Sequence, residues 1–340
     1  MKNEGIRYQE LDSLRGIAAL SVVLFHFTFG YDNGFNIISD NRFYFRYGYL
    51  GVHLFFLISG FVIFMTLEKT KKPIDFIVSR FSRLYPAYWA AIISTVIITI
   101  IMSVPSQQGI FTFKQVLVNF TMLQFWFKIK DVDGAYWTLA VELTFYAIIW
   151  VIFLIKKQQY IEWFCIIWLV LSVLFAIIDI PLAGYIKAIL ILKYAPLFVG
   201  GITFYLIKRK KAKLYYHVLV LCSLCTEYFL LYQSGSVFII YAVITLCFVL
   251  FYLFVYNKLV FLTNKIFLFF GAISYTLYLI HENIGTAIIY WLKKIADVQL
   301  FYLPISIIII VAFASLITFY LEKPAMLWIR NYYHKLNEKH

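Results

Sequence analysis

The chain has 340 residues, 63% hydrophobic, 21% aromatic and only 14% charged, with a formal net charge of +13 and a mean hydropathy of +0.83. A soluble domain is nearer half apolar and about a quarter charged, so the composition excludes an ordinary soluble enzyme. It predicts an all-α polytopic transmembrane helical bundle in a lipid bilayer. The basic excess calls for no nucleic acid, because Lys and Arg gather in cytoplasmic loops of membrane proteins.

In chain order, apolar segments near the ~20 residues of one crossing lie at 14–31, 48–67, 84–103, 136–155, 162–180, 185–207, 214–231, 236–256, 266–291 and 303–321. With the N-terminus inside, most of the 30 Lys and Arg fall on the cytoplasmic side, which predicts both termini in the cytoplasm. The stretch 113–127 is apolar but short. It reads as re-entrant or interfacial, since an eleventh span would invert everything after it. The start, MKNEGIRYQE, mixes charges and precedes a run long enough to remain as a span, so no cleavable signal is expected. No polar block approaches domain size, and one membrane domain, 1–340, with short tails at 1–13 and 323–340, is expected to hold the chemistry.

Some features read as ordinary. The KRKKAK run from Lys208 to Lys213 is loop charge. Cys222 and Cys225 form a lone CxxC pair, read as small packing residues, and no metal site is expected. The NFT triplet at Asn119 matches a glycosylation acceptor, but so short a pattern recurs by chance.

The first segment, LDSLRGIAALSVVLFHFTFG, carries ionisable groups that a bilayer disfavours. Arg15 and His26 are eleven residues apart, close to three helical turns, so they share a face with a rise of about 16 Å between them. Asp12 is three residues before Arg15, close enough to pair with it. Next, SRFSRLYPAYW places Arg80 and Arg83 at i, i+3 on the same predicted side as Arg15, followed by Tyr85. Arginine forks suit phosphates, while the same residues also serve as basic and aromatic anchors of a span. YWTLAVELTFY puts Glu142 inside a span, and ISYTLYLIHENI puts His281 and Glu282 in another. One such group is often structural; four in separate helices predict a polar interior.

Taken together these motifs resemble the acyltransferase-3 family of integral membrane acyltransferases, across most of the chain and in order. LDSLRGIAALSVVLFHF is similar to that family's Arg-x10-His first helix, and GYLGVHLFFLISGFVI to its second. SRFSRLYPAYW is similar to its Arg-x-x-Arg segment, WTLAVELTFY to its Trp-Ser/Thr-Leu…Glu…Phe-Tyr segment, and ISYTLYLIH to its late Ser-Tyr…Tyr-Leu…His segment. Two positions depart from the pattern. Many relatives carry an acidic residue at the position of His53, which is therefore given no role, and many have a second Glu where this chain has Leu143. Some members fuse a hydrolase-like domain, and this chain is expected to be the stand-alone form.

The resemblance implies transfer of an acyl group, acetyl above all, from cytoplasmic acyl-CoA as co-substrate to a hydroxyl of a cell-surface glycan, in the cell (inner) membrane. It implies no permanently bound cofactor. Arg15, Arg80 and Arg83 would hold the donor's phosphates, with Asp12 fixing Arg15 and Tyr85 in support. His26 would act as general base or as a transient acyl carrier, and Glu142 is the candidate to orient it. His281 would line the acceptor side or bridge helices. Two rivals stand beside this reading: a transporter or flippase of a glycan intermediate without chemistry, and transfer of another acyl group or to a small-molecule acceptor. A homo-oligomer is compatible with the sequence.

Overall fold

A computed structural model of the chain describes residues 8–35, 43–103, 111–178, 183–210 and 213–337. The regular elements among them are helical, with no strand. In order they are α1 (Gln9–Phe25), α2 (Gly51–Lys69), α3 (Pro73–Met102), α4 (Phe113–Asn119), α5 (Trp137–Leu154), α6 (Ile161–Ile177), α7 (Ala183–Ile189), α8 (Ala195–Lys210), α9 (Leu214–Gln233), α10 (Phe238–Val255), α11 (Lys265–Ile295), α12 (Gln299–Ile317) and α13 (Lys323–Asn337), with short 3₁₀ and π turns between. Eight helical stretches among the described residues are long and apolar enough to cross a membrane. The protein is a multi-pass helical membrane protein.

Two of the ten predicted spans fall below that measure. The segment 185–207 is divided into α7 and α8 by turns around Ile191, which takes φ +43°, a conformation strained for a β-branched residue. Pro196 explains the break: it lacks the N–H that a helix running in from α7 would need, yet suits the first turn of α8. The segment 266–291 lies in α11, whose apolar run is interrupted by His281, Glu282 and Asn283. Elsewhere the helices outrun the prediction. α3 begins at Pro73, so most of the expected inner loop 68–83 is helical, and the Asp75 carboxylate accepts the Lys72 N–H at 3.1 Å where the helix starts. The expected C-terminal tail is the helix α13, joined to α12 by a π turn, Thr318–Glu322. It exposes Leu327, Trp328 and Tyr332 beside Lys323, Arg330 and Lys335, the pattern of a basic interfacial helix.

The helices gather into two compact units, each built from three separated segments. The first comprises Met1–Arg15, Val52–Phe76 and Val141–Leu268. Within it α8 packs on α6, α9 and α10. Its core is aromatic: Phe145 stacks on Phe198 with ring centroids 4.1 Å apart, and the buried Trp168 indole donates to the Leu190 carbonyl at 2.7 Å, as a buried ring N–H requires. Lys208 of the basic run donates to the carbonyls of Phe254 and Val255 at the end of α10, a helix-capping role rather than loop charge; residues 211–212 lie outside the described residues. Cys222 and Cys225 are free thiols on an exposed face of α9.

The second unit comprises Gly16–Gly51, Ile77–Ala140 and Phe269–His340. Here α1 and α11 approach closely enough that a Cβ on Gly16 would sit 2.7 Å from the Gly271 nitrogen, and the Phe27 ring presses on Gly285. Small residues permit such backbone approach in membrane bundles. The contacts 16–271 and 27–285 ascend along both helices, so α1 and α11 are parallel. α3 shares that direction, because the Tyr275 hydroxyl donates to the Leu84 carbonyl and the Trp291 indole to that of Met102. Between α3 and α5 lies the apolar stretch 113–127. That stretch holds α4, seven residues with a Thr112–Gln115 capping box, followed by turns. Asn119 is fully buried and donates to the carbonyls of Gln115 and Lys130, which closes it to a glycan.

Candidate active site

α1 keeps regular α geometry from Gln9 to Phe25, so the helical register of Arg15 and His26 is realised. At His26 the helix widens into a π turn, His26–Gly30, a local feature frequent at functional sites. The wider turn is held by Thr28, whose hydroxyl donates to the Leu24 carbonyl at 2.6 Å and accepts the Phe45 N–H at 3.0 Å.

The parallel packing of α1 on α11 sets His26 against two polar neighbours. Its Nδ1 lies 3.9 Å from the Glu282 carboxylate, with the two side chains 25% and 14% exposed. Its ring meets that of His281 edge-on, with centroids 4.9 Å apart. His281 is fully buried. Its Nδ1 sits 2.6 Å from the Tyr278 carbonyl, which only accepts, so Nδ1 carries the proton and Nε2 is the acceptor nitrogen of the neutral ring. Nε2 is buried with no hydrogen-bond partner in the described structure. A partly exposed imidazole thus stands beside a carboxylate and a second imidazole, the ingredients of a tuned general base.

Residues 132–138 stitch this cluster in place. The buried Asp133 carboxylate accepts the backbone N–H groups of Asn283, at 3.0 Å, and of Ala135, at 3.1 Å. The Asn283 amide donates to the Val132 carbonyl at 2.8 Å, and the hydroxyls of Thr138 and Tyr278 bond at 2.8 Å. Gly134 faces Glu282 so closely that any Cβ there would collide with the carboxylate oxygens. Burial pushes the Asp133 carboxyl above its ordinary range, against the two N–H groups that favour its ionised form. Burial raises Asp131 likewise, opposed by its bond to Gln124.

A second polar cluster in the same unit lies at the start of α3. The Arg83 guanidinium donates to the buried Glu322 carboxylate at 3.0 Å, and the other Glu322 oxygen accepts from Thr276 at 2.7 Å. Arg80 donates to the Ser79 hydroxyl at 3.1 Å. Tyr85 donates to the Thr121 carbonyl at 2.9 Å, tying α3 to the turns after α4. Asp12 and Arg15 belong to the other unit, partly buried in the first turns of α1. Glu142 is also in that unit, where it accepts from Ser59 at 3.0 Å and from Tyr146.

A family model described as an acyltransferase domain matches residues 8–321. The chain belongs to the acyltransferase-3 family. Among curated proteins, this chain is 31% identical over 164 residues to YrhL of Bacillus subtilis (strain 168), provisionally named a peptidoglycan O-acetyltransferase. That similarity covers 43% of this chain and 23% of YrhL, so the match spans about a quarter of the relative's length. No solved structure matches.

The fold thus brings His26 and His281 together, and Arg80 and Arg83 lie at one end of α3. Sequence alone names Glu282 without a role, counts Arg330 only as cytoplasmic charge, and singles out neither Asp133 nor Gly134. Asp-Gly before a span reads as a plain turn, and the signal that distinguishes Glu282 is only its place inside an apolar run.

Proposed function

We propose that this acyltransferase moves an acyl group, acetyl in the simplest case, from cytoplasmic acyl-CoA to a sugar hydroxyl of a cell-envelope glycan, in the cytoplasmic membrane with both termini inside. The observation that carries the reading is the partly exposed His26 with its Nδ1 toward Glu282. Family membership supplies the reaction class, and the name of the Bacillus subtilis relative favours a glycan acceptor.

Glu282 favours the proton on Nδ1, which leaves the His26 Nε2 lone pair as base. Nε2 takes the hydroxyl proton as the sugar oxygen bonds to the thioester carbon. The carbon–sulfur bond breaks, and the leaving thiolate receives the proton back from the imidazolium. Glu282 counters the positive charge that His26 carries between the two transfers. His281 lines the acceptor side. Arg80 and Arg83 hold the donor's phosphates. Glu142, expected from the sequence to orient His26, is assigned here to joining α2 and α5 through Ser59 and Tyr146.

The test is transfer of labelled acetyl from acetyl-CoA to peptidoglycan fragments and other glycans by the purified protein in nanodiscs. His26→Ala is expected to lower the rate on the order of 10²-fold or more. Wild-type protein that transfers nothing but carries glycan across the bilayer replaces this reading with transport.

A further inference from the structure

α13 lies beyond the residues that the family model matches, yet it sends one side chain back to α3. The Arg330 Nε donates to the fully buried Ser82 hydroxyl at 3.0 Å, and its Nη2 approaches the Ser79 carbonyl at 3.4 Å. Both acceptors are neutral. Among the described residues Arg330 has no acidic partner, and the guanidiniums of Arg80 and Arg83 repel it. The Glu322 carboxylate, which pairs with Arg83, also accepts from Thr276 and Thr318.

Arg83 is offset by Glu322, whereas Arg330, partly buried on neutral acceptors beside two further guanidiniums, is favoured by an added anion. The two bonds to Ser82 and Ser79 fix the plane of Arg330 while using two of its five N–H donors. The remaining donors suit the oxygens of a phosphate, which an arginine fork takes in bidentate fashion.

We propose that Arg330 completes, with Arg80 and Arg83, a phosphate-binding cluster that takes the nucleotide end of the acyl donor. The inference rests on the donor reading above and adds a residue from outside the matched domain. α13 thereby has a task besides lying at the interface: it carries the third cation to the site. A lipid headgroup offers the same phosphate chemistry, and the experiment separates the two.

Binding of coenzyme A is measured on the purified full-length protein in phosphatidylcholine nanodiscs, for wild type, Arg330→Gln and Arg330→Lys, with inorganic pyrophosphate as competitor. Arg330→Gln is expected to weaken coenzyme A binding roughly tenfold, and Arg330→Lys to recover part of it. Should Arg330→Gln not yield folded protein, Arg330→Lys, which keeps the charge and loses the fork, carries the test. Coenzyme A affinity equal to wild type in the folded variant overturns the proposal and leaves the donor reading standing. If wild type binds no coenzyme A, yet pyrophosphate binds and depends on Arg330, the donor reading falls and the phosphate cluster survives. If phosphatidylglycerol in the nanodisc abolishes the Arg330-dependent part of coenzyme A binding, the cluster serves lipid and the nucleotide assignment is overturned.

Discussion

Glu142 on α5 and Glu282 on α11 are both carboxylates in apolar helices, and their surroundings differ in kind. Glu142 is met by the hydroxyls of Ser59 and Tyr146, neutral donors from its own and a neighbouring helix, which satisfy it in either protonation state. Glu282 faces an imidazole, and the missing side chain of Gly134 leaves room for its carboxylate. A carboxylate tied to hydroxyls stabilises packing; one beside a partly exposed histidine biases where that ring holds its proton. On the proposed mechanism, the environment of the acid, rather than its depth in a helix, separates structure from chemistry.

The sharpest way to break this contrast is to neutralise each acid in turn. Glu282→Gln is expected to lower the acyl-transfer rate on the order of 10²-fold and to shift the pH profile of kcat, with Glu282→Asp recovering part of the rate. Glu142→Gln keeps an acceptor for Ser59 and Tyr146, so the rate should stay within a few-fold while thermal stability drops by about 1 kcal/mol. Rate loss in Glu142→Gln as deep as in Glu282→Gln, with stability unchanged, reverses the two assignments.

Two glycines sharpen the same distinction with smaller effects. The three atoms nearest to a methyl at position 134 all belong to the Glu282 carboxyl group, which must shift from its place beside His26. Gly134→Ala should therefore cost roughly tenfold in rate, given that misplacement by about an ångström can cost 10²-fold, with little change in melting temperature. A methyl at position 16 meets the backbone of Gly271 and Phe270, which has nowhere to go. Gly16→Ala should cost about 1–3 kcal/mol of stability, read by thermal melting in detergent. A Gly134→Ala protein that transfers acyl groups at the wild-type rate removes Glu282 from the mechanism.

Much of this was legible in the sequence because membrane helices obey short-range rules. Apolar runs located the helices, and eleven residues of regular helix fixed Arg15 and His26 on one face. What the sequence concealed depends on long-range contact. Glu282 and His281 are adjacent in sequence and point about 100° apart on a helix, so a motif that selects the histidine says nothing of its neighbour. Only the approach of α1 to α11, allowed at Gly16 and Gly285, turns Glu282 toward His26. Arg330 reads as one more basic residue of a tail until Ser82, 248 positions earlier, is found beneath it. The break between α7 and α8 is written in Pro196, yet a hydropathy window averages across it.

The most gradual expected effect, spread over several pH units, concerns Asp133, which anchors α11 through the Asn283 N–H and whose carboxyl is raised by burial. The unfolded chain holds this group near the ordinary value of about 3.9. Between that value and the raised one the folded protein binds more protons than the unfolded, so stability falls as pH rises through the interval. The group's stabilising contribution is complete below about pH 4 and is lost as the pH passes its folded value. Asp133→Asn retains an acceptor for the two N–H groups and cannot titrate. Relative to this variant, wild type should lose stability, read from thermal melts, as the buffer moves from pH 4 upward, with a slope no steeper than about 1.4 kcal/mol per pH unit. Parallel melting curves for the two proteins across that range mean that Asp133 is ionised throughout, its charge held by the N–H groups of Asn283 and Ala135. The anchor of α11 is then electrostatic rather than a neutral hydrogen bond.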